Sequence, residues 1–163
     1  MSASAGIGQR LDVAEPLMLE GLEISTDRAR IDVALVHEFL NTTYWAEGRP
    51  REVIERSIAN SLCFGAYLSG RQVGFARVIT DSSVFGYVAD VFVVPEMRGR
   101  GISKALMQAI VDDPVVSGLK LLLLRTRDAH GLYKQFGFDA VEHPDELMAR
   151  YARVGRSGGR EIE

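Results

Sequence analysis

A chain of 163 residues has room for one domain. At this length folding buries roughly two-thirds of the surface that the unfolded chain exposes, so neither a disulfide nor a structural metal is needed to hold it. The composition, 47% hydrophobic and 25% charged, excludes a disordered or fibrous chain, and a formal charge of −3 with a pI near 5.7 excludes a general attraction to nucleic acid or anionic lipid.

In chain order, residues 1–15 are small and polar without a sustained period and are expected to form a disordered tail. Residues 153–163, rich in Gly and Arg, are expected to form a flexible one, which leaves a folded domain over 16–152. The start lacks a basic stretch followed by an apolar run, and no uninterrupted run approaches the ~18 apolar residues that span a bilayer. Cys63 is the one cysteine, so an intramolecular disulfide is impossible and the thiol reads as a buried one. Together these features predict a cytoplasmic protein.

A weak strand over 19–24 is followed by Thr26 or Asp27, either of which can cap a helix carrying Ile31, Leu35 and Phe39 on one stripe with Val36 and Leu40 beside them. Residues 41–48 interrupt that pattern. Pro50 then opens a second helix whose inward side is Val53, Ile54, Ser57 and Ile58. Residues 64–68 and 73–79 read as strands joined across Ser69-Gly70, and 84–94 as a longer strand after the turn at Asp81, Ser82 and Ser83. A helix over 102–111 ends before Pro114. The leucines of 120–124 predict a strand covered on both faces. Asp128 is expected to cap a short helix over 129–136 that Gly137 stops, and 138–141 and 147–151 are read as further strands. The strand–helix–strand unit around 102–111 makes its two strands parallel neighbours. The fold class is therefore mixed α/β (α+β): a central, mostly antiparallel sheet of six or seven strands with helices on both faces.

The segment V-F-V-V-P-E-M-R-G-R-G-I-S-K-A-L, residues 91–106, carries the most chemical information. A strand ends at Pro95, and Gly99 and Gly101 stand where a helix begins. The first N–H groups of a helix have no partner inside it, and the helix dipole adds positive potential there. Glycines let a bulky anion approach that backbone, while Arg98 and Arg100 supply formal charge. The pattern predicts a diphosphate seat from Arg98 to Ser103; read without an anion, it is a glycine turn before a helix. Neither G-x-x-x-x-G-K-[ST] nor G-x-G-x-x-G is present, and an RGG-type RNA-binding tract is disfavoured because the glycines lie between an apolar strand and an amphipathic helix.

V-V-P-E-M-R-G-R-G-I-S resembles the acetyl-CoA-binding motif of the GNAT (Gcn5-related N-acetyltransferase) superfamily, [QR]-x-x-G-x-[GA], with Arg98, Gly101 and Ser103 on its specified places. Ser103 departs from the usual Gly or Ala. A second segment, A-H-G-L-Y-K-Q-F-G-F over 129–138, looks like the family's A-x-x-L-Y-x-x-x-G-F element, in the expected order after a strand. The resemblance covers about residues 19–141.

That resemblance implies a splayed pair of parallel strands, near 91–94 and 121–125, with the pantetheine arm of acetyl-CoA lying along the backbone of Phe92, Val93 and Val94. The diphosphate would sit on Arg98, Gly99, Arg100, Gly101, Ile102 and Ser103. Tyr133 takes the place of the general acid that protonates the departing thiolate, and the alternative is an aromatic packed on its helix. The acceptor amine must lose a proton, and Asp90 is the candidate base, directly or through water; it also reads as a solvent-facing strand residue. Tyr44, Trp45 and Arg49, with Arg77 on a central strand, are candidates for acceptor binding, able to hold a ring or a carboxylate. Trp45 packed as a lid on the core is the competing reading. His130 is a second candidate base. His37 and His143 have no metal-ligand spacing with it, so no metal is expected. The implied activity is transfer of acetyl from acetyl-CoA to a primary amine of a small molecule or peptide, with a homodimer common in the family and no nucleic-acid or membrane partner. A catalytically silent coenzyme A sensor and an N-acyltransferase using a larger acyl-CoA are the alternatives.

Overall fold

The structure, a computed structural model, describes residues 19–151; the two expected tails lie outside the described residues. Strand β1, Leu22–Ser25, leads into a short 3-10 turn at Arg28–Arg30, which Asp27 caps by accepting from Ala29 N at 3.0 Å. Helix α1 starts later than the sequence predicts, at Val33–Asn41. Its cap is Asp32, which accepts from Leu35 N at 3.0 Å while its own N–H donates to Gln72 Oε1 at 2.7 Å. Asp27 is engaged by the shorter turn, so the second acidic residue takes the helix.

Helix α2, Arg51–Ala59, follows Pro50 as expected and buries Ile54 and Ile58, with Val53 and Ser57 half-buried. Strands β2, Leu62–Leu68, and β3, Arg71–Thr80, form the predicted hairpin. Ser69 and Gly70 both take left-handed φ, 51° and 78°, as a tight two-residue hairpin turn requires. Strand β4, Phe85–Val93, lies antiparallel to β3. Helix α3, Ile102–Asp112, then crosses over to β5, Leu121–Leu123, which pairs parallel to β4. The sheet order is β1-β2-β3-β4-β5.

Adjacent residues on β3 point to opposite faces. On one face a Cβ at Gly74 would stand 3.3 Å from Leu106 Cδ1 of α3, so glycine lets the helix seat directly on the sheet. On the other face Phe75 meets Phe92, and Phe92 stacks on Phe39 of α1 with ring centroids 4.0 Å apart. Helices therefore cover both faces.

Three expectations are corrected. Five strands stand among the described residues in place of six or seven. Residues 138–141 and 147–151 form none: Phe138 N donates to Tyr133 O in the turn that ends the last helix, and the chain then enters a 3-10 turn at Pro144–Glu146. Strand β5 is not covered on both faces either; it lies at the sheet edge, and Leu121 is 49% exposed. Finally, α4, His130–Lys134, has Ala129 at its N-cap and no side-chain cap, so Asp128 does not cap it; Thr126 Oγ1 accepts from Ala129 N just before the helix. Gly137 does stop it, at φ 83°.

Candidate functional site

Two neighbouring features concentrate unpaired polar groups. The first lies where β4 gives way to α3. Gly99 and Gly101 have φ of 75° and 81°, a conformation that costs an L side chain about 1–2 kcal/mol. A Cβ at either would meet nothing within 4 Å, so backbone conformation and not packing requires glycine, and the space above these amides is open. The N–H groups of the six residues 99–104 donate to no described residue; Arg98 N and Ala105 N, on either side, are bonded to Pro95 O and Gly101 O. Arg100 and Lys104 are exposed, Ser103 is half-buried with its hydroxyl unengaged, and the Ile102 side chain belongs to the core. Arg98 gives its Nε to Val93 O at 3.2 Å and rests over the Phe39 ring, so it is positioned before any ligand arrives.

Along β4, Val94 N donates to Val73 O, and Phe92 and Phe75 stand opposite each other two residues back. Alternate residues of an antiparallel strand face its partner, so Phe92 and Val94 bond to β3 while Val93 turns its N–H and C=O the other way. Of the three strand residues singled out for pantetheine, only Val93 faces the open side.

The second feature is a cavity of about 560 Å³ where β4 and β5 diverge. Their pairing ends at Tyr87↔Leu123, and beyond it the cavity lies between residues 87–91 and 124–129. This is the expected splay. Two residues of β4, Asp90 and Val91, stand opposite one of β3 at this point, a β-bulge in which Asp90 takes φ 53°.

The bulge turns Asp90 toward two arginines. Arg77 Nε donates to Asp90 Oδ2 at 2.7 Å, and Arg49 Nη1 lies 3.2–3.3 Å from both carboxylate oxygens. Arg77 Nη1 donates in turn to Ser61 Oγ at 3.0 Å, just beyond α2. The Asp90 side chain is 4% exposed and that of Arg77 11%. Asp90 is thus a buried ion-pair centre and not a solvent-facing strand residue. The loop after α1 is closed by Gly48 N donating to Asn41 Oδ1 at 2.9 Å, which projects Tyr44 and Trp45 edge to face. Trp45 is 44% exposed and lines the cavity; it does not cap the core.

Tyr133, on α4, lines the same cavity and packs edge-on against Phe138. Burial, with the neighbouring Asp128 and Tyr44, holds its hydroxyl pKa above the ordinary 10.0, and that hydroxyl bonds to no described residue. Six residues singled out from sequence, Tyr44, Trp45, Arg49, Arg77, Asp90 and Tyr133, thus share one cavity. His130 does not line it. The sequence reading missed Arg125, Thr126, Arg127 and Asp128, which form its far wall. The only signal was their place between the leucine strand and the A-x-x-L-Y element. Among the described residues no group of His, Cys, Asp or Glu is placed to hold a metal ion, and no helix is long and apolar enough to cross a membrane.

Residues 59–140 match the family model described as Acetyltransferase (GNAT) domain. The chain is 48% identical to a GNAT-family protein of known structure from Xanthomonas campestris pv. campestris, covering 80% of this chain and 93% of that one with a TM-score of 0.78. It is 28% identical over 138 residues to the candidate acetyltransferase FG08082 of Gibberella zeae, covering 70% of this chain and 77% of that one. A predicted acetyltransferase from Clostridium acetobutylicum, solved with acetyl-CoA, shares the fold at TM-score 0.60 and 17% identity, over 80% of this chain and 96% of that one.

Proposed function

The chain belongs to the acetyltransferase (GNAT) family, and from that premise we propose that it transfers acetyl from acetyl-CoA to a primary amine by direct attack within a ternary complex. The observation that carries this reading is the row of six unpaired amides, 99–104, standing beside the open edge of β4. A diphosphate satisfies donors that water alone would otherwise solvate, and Arg100 and Lys104 add charge at the same place. In this reading Val93 N–H and C=O, with Arg98 already on the latter, face the pantetheine arm, while Phe92 and Val94 hold the strand in place.

The acceptor amine enters the cavity on the Tyr44 and Trp45 side. Its nitrogen lone pair forms the C–N bond at the thioester carbonyl, the C–S bond breaks, and the Tyr133 hydroxyl gives its proton to the sulfur. Tyr133 recovers a proton from solvent, and the amine loses its own to water in the open cavity. A phenol whose pKa lies above 10 is fully protonated at neutral pH, so the donor is ready in every turnover. Asp90 is assigned a positioning role instead of the role of base: its carboxylate fixes Arg77 and Arg49, and its left-handed backbone sets the bulge beside the reacting carbonyl. A cytoplasmic setting belongs to the same reading. Cys63 supports it as a single buried thiol whose pKa burial pushes up, which leaves it unreactive.

The test is release of free thiol from acetyl-CoA across a panel of amines. Tyr133→Phe is expected to keep coenzyme affinity and lower turnover at least tenfold. Because Tyr133 ionises only above pH 10, a fall in rate at pH 8–9 must persist in the variant. Unchanged turnover in Tyr133→Phe would remove it from the mechanism. Coenzyme binding without thiol release from any amine would identify a silent sensor.

A further inference from the structure

The cavity wall has a charge opposite to that of the whole chain. Four arginines, 49, 77, 125 and 127, line it against two aspartates, 90 and 128, in a protein of net charge −3. The four are not equivalent. Arg49 and Arg77, which the sequence suggested for gripping a carboxylate, both bond to Asp90. Arg125 and Arg127 form no ion pair with any described residue, and both are exposed at the cavity.

Arg127 is also held in place. Its guanidinium carbon stands over the Tyr44 ring, 3.9 Å from the centroid. The guanidinium has no carboxylate partner among the described residues and offers N–H donors in the planar arrangement that matches a carboxylate or phosphate. Nor does the coenzyme account for this charge. In the proposed reading its diphosphate is seated at 99–104, and none of those residues lines the cavity.

We propose that the acceptor is a primary amine that also carries an oxyanion, either carboxylate or phosphate, and that Arg125 and Arg127 hold that oxyanion at the rim while the amine reaches toward Tyr133. This rests on acetyl transfer occurring in the same cavity, and its test is chosen to work without turnover. Trp45 is the one tryptophan of the chain and lines the cavity, so its fluorescence reports occupancy directly. The probes are matched pairs: β-alanine against β-alaninamide, phenylalanine against phenylalaninamide, and 2-aminoethyl phosphate against ethanolamine. Each is titrated into the full chain with and without coenzyme A.

The anionic member of at least one pair is expected to bind at least tenfold more tightly. The pair that shows the gap tells carboxylate from phosphate. Arg125→Gln with Arg127→Gln should erase the gap and leave coenzyme A affinity unchanged; both side chains are exposed, so the fold does not depend on them. Equal binding within every pair, no binding by any member, or a gap that survives the double variant would each overturn the proposal. If coenzyme A itself fails to bind while the anion preference remains, the acetyl-transfer reading falls and the oxyanion site stands.

Discussion

Asp90 sits in a left-handed conformation that disfavours most side chains, is almost fully buried, and carries a charge that two guanidinium groups share. A residue kept under all three constraints fixes its surroundings, because the bulge, Arg49 and Arg77 all depend on it. Substitution by asparagine separates charge from geometry, since asparagine tolerates left-handed φ as well as aspartate does. Breaking a buried ion pair from one side costs on the order of 3 kcal/mol. Asp90→Asn should therefore lower the melting temperature and turnover but retain the acidic limb of the pH–rate profile, which in this account belongs to the amine. Loss of that limb would restore Asp90 as the base. The sequence singled out Asp90, which does line the cavity, but nothing in A-D-V-F announces a bulge. The extra residue emerges only from the register of β4 against β3, which is a property of two strands together.

At the scale of elements, turns decided where the sequence was legible. Ser69-Gly70 and the glycines before α3 were readable because each is required by local backbone conformation. The turn between β3 and β4 is another such case. Asp81 Oδ1 accepts from Ser83, Val84 and Phe85 N–H at 2.9–3.1 Å, and these bonds hold its carboxyl below the ordinary 3.8. A carboxyl whose folded pKa lies below its unfolded one contributes stability in full above the unfolded value, and that contribution is lost as pH falls through the folded value. Asp81→Ala should melt at a lower temperature than the parent at pH 7, with the gap closing below about pH 4. A gap independent of pH would show that the turn does not rely on the charge. The elements misjudged were those that depend on long-range partners. The four leucines at 121–124 look fully buried, yet β5 has β4 alone beside it and leaves Leu121 exposed. Leu147 and Tyr151, 56% and 76% exposed, have the residue types of a strand but no partner to pair with.

On the scale of the whole molecule, the fold keeps two kinds of unpaired donor apart. Main-chain N–H groups gather at the start of α3, and side-chain guanidiniums gather across the splay between β4 and β5. The glycine–arginine loop before α3 was legible because it is contiguous in sequence, with glycines and arginines within one short stretch. Half of the cavity was not, because Arg125 and Arg127 reach it only through the crossover that places β5 beside β4. The central claim is that the amides at 99–104 seat the diphosphate of acetyl-CoA. The most direct measurement is a backbone amide NMR titration of the full chain with coenzyme A. The account predicts saturable shifts concentrated on residues 99–104 and on Val93, with smaller changes along α2 and β1. No affinity, or saturable shifts that bypass those six amides, would contradict it.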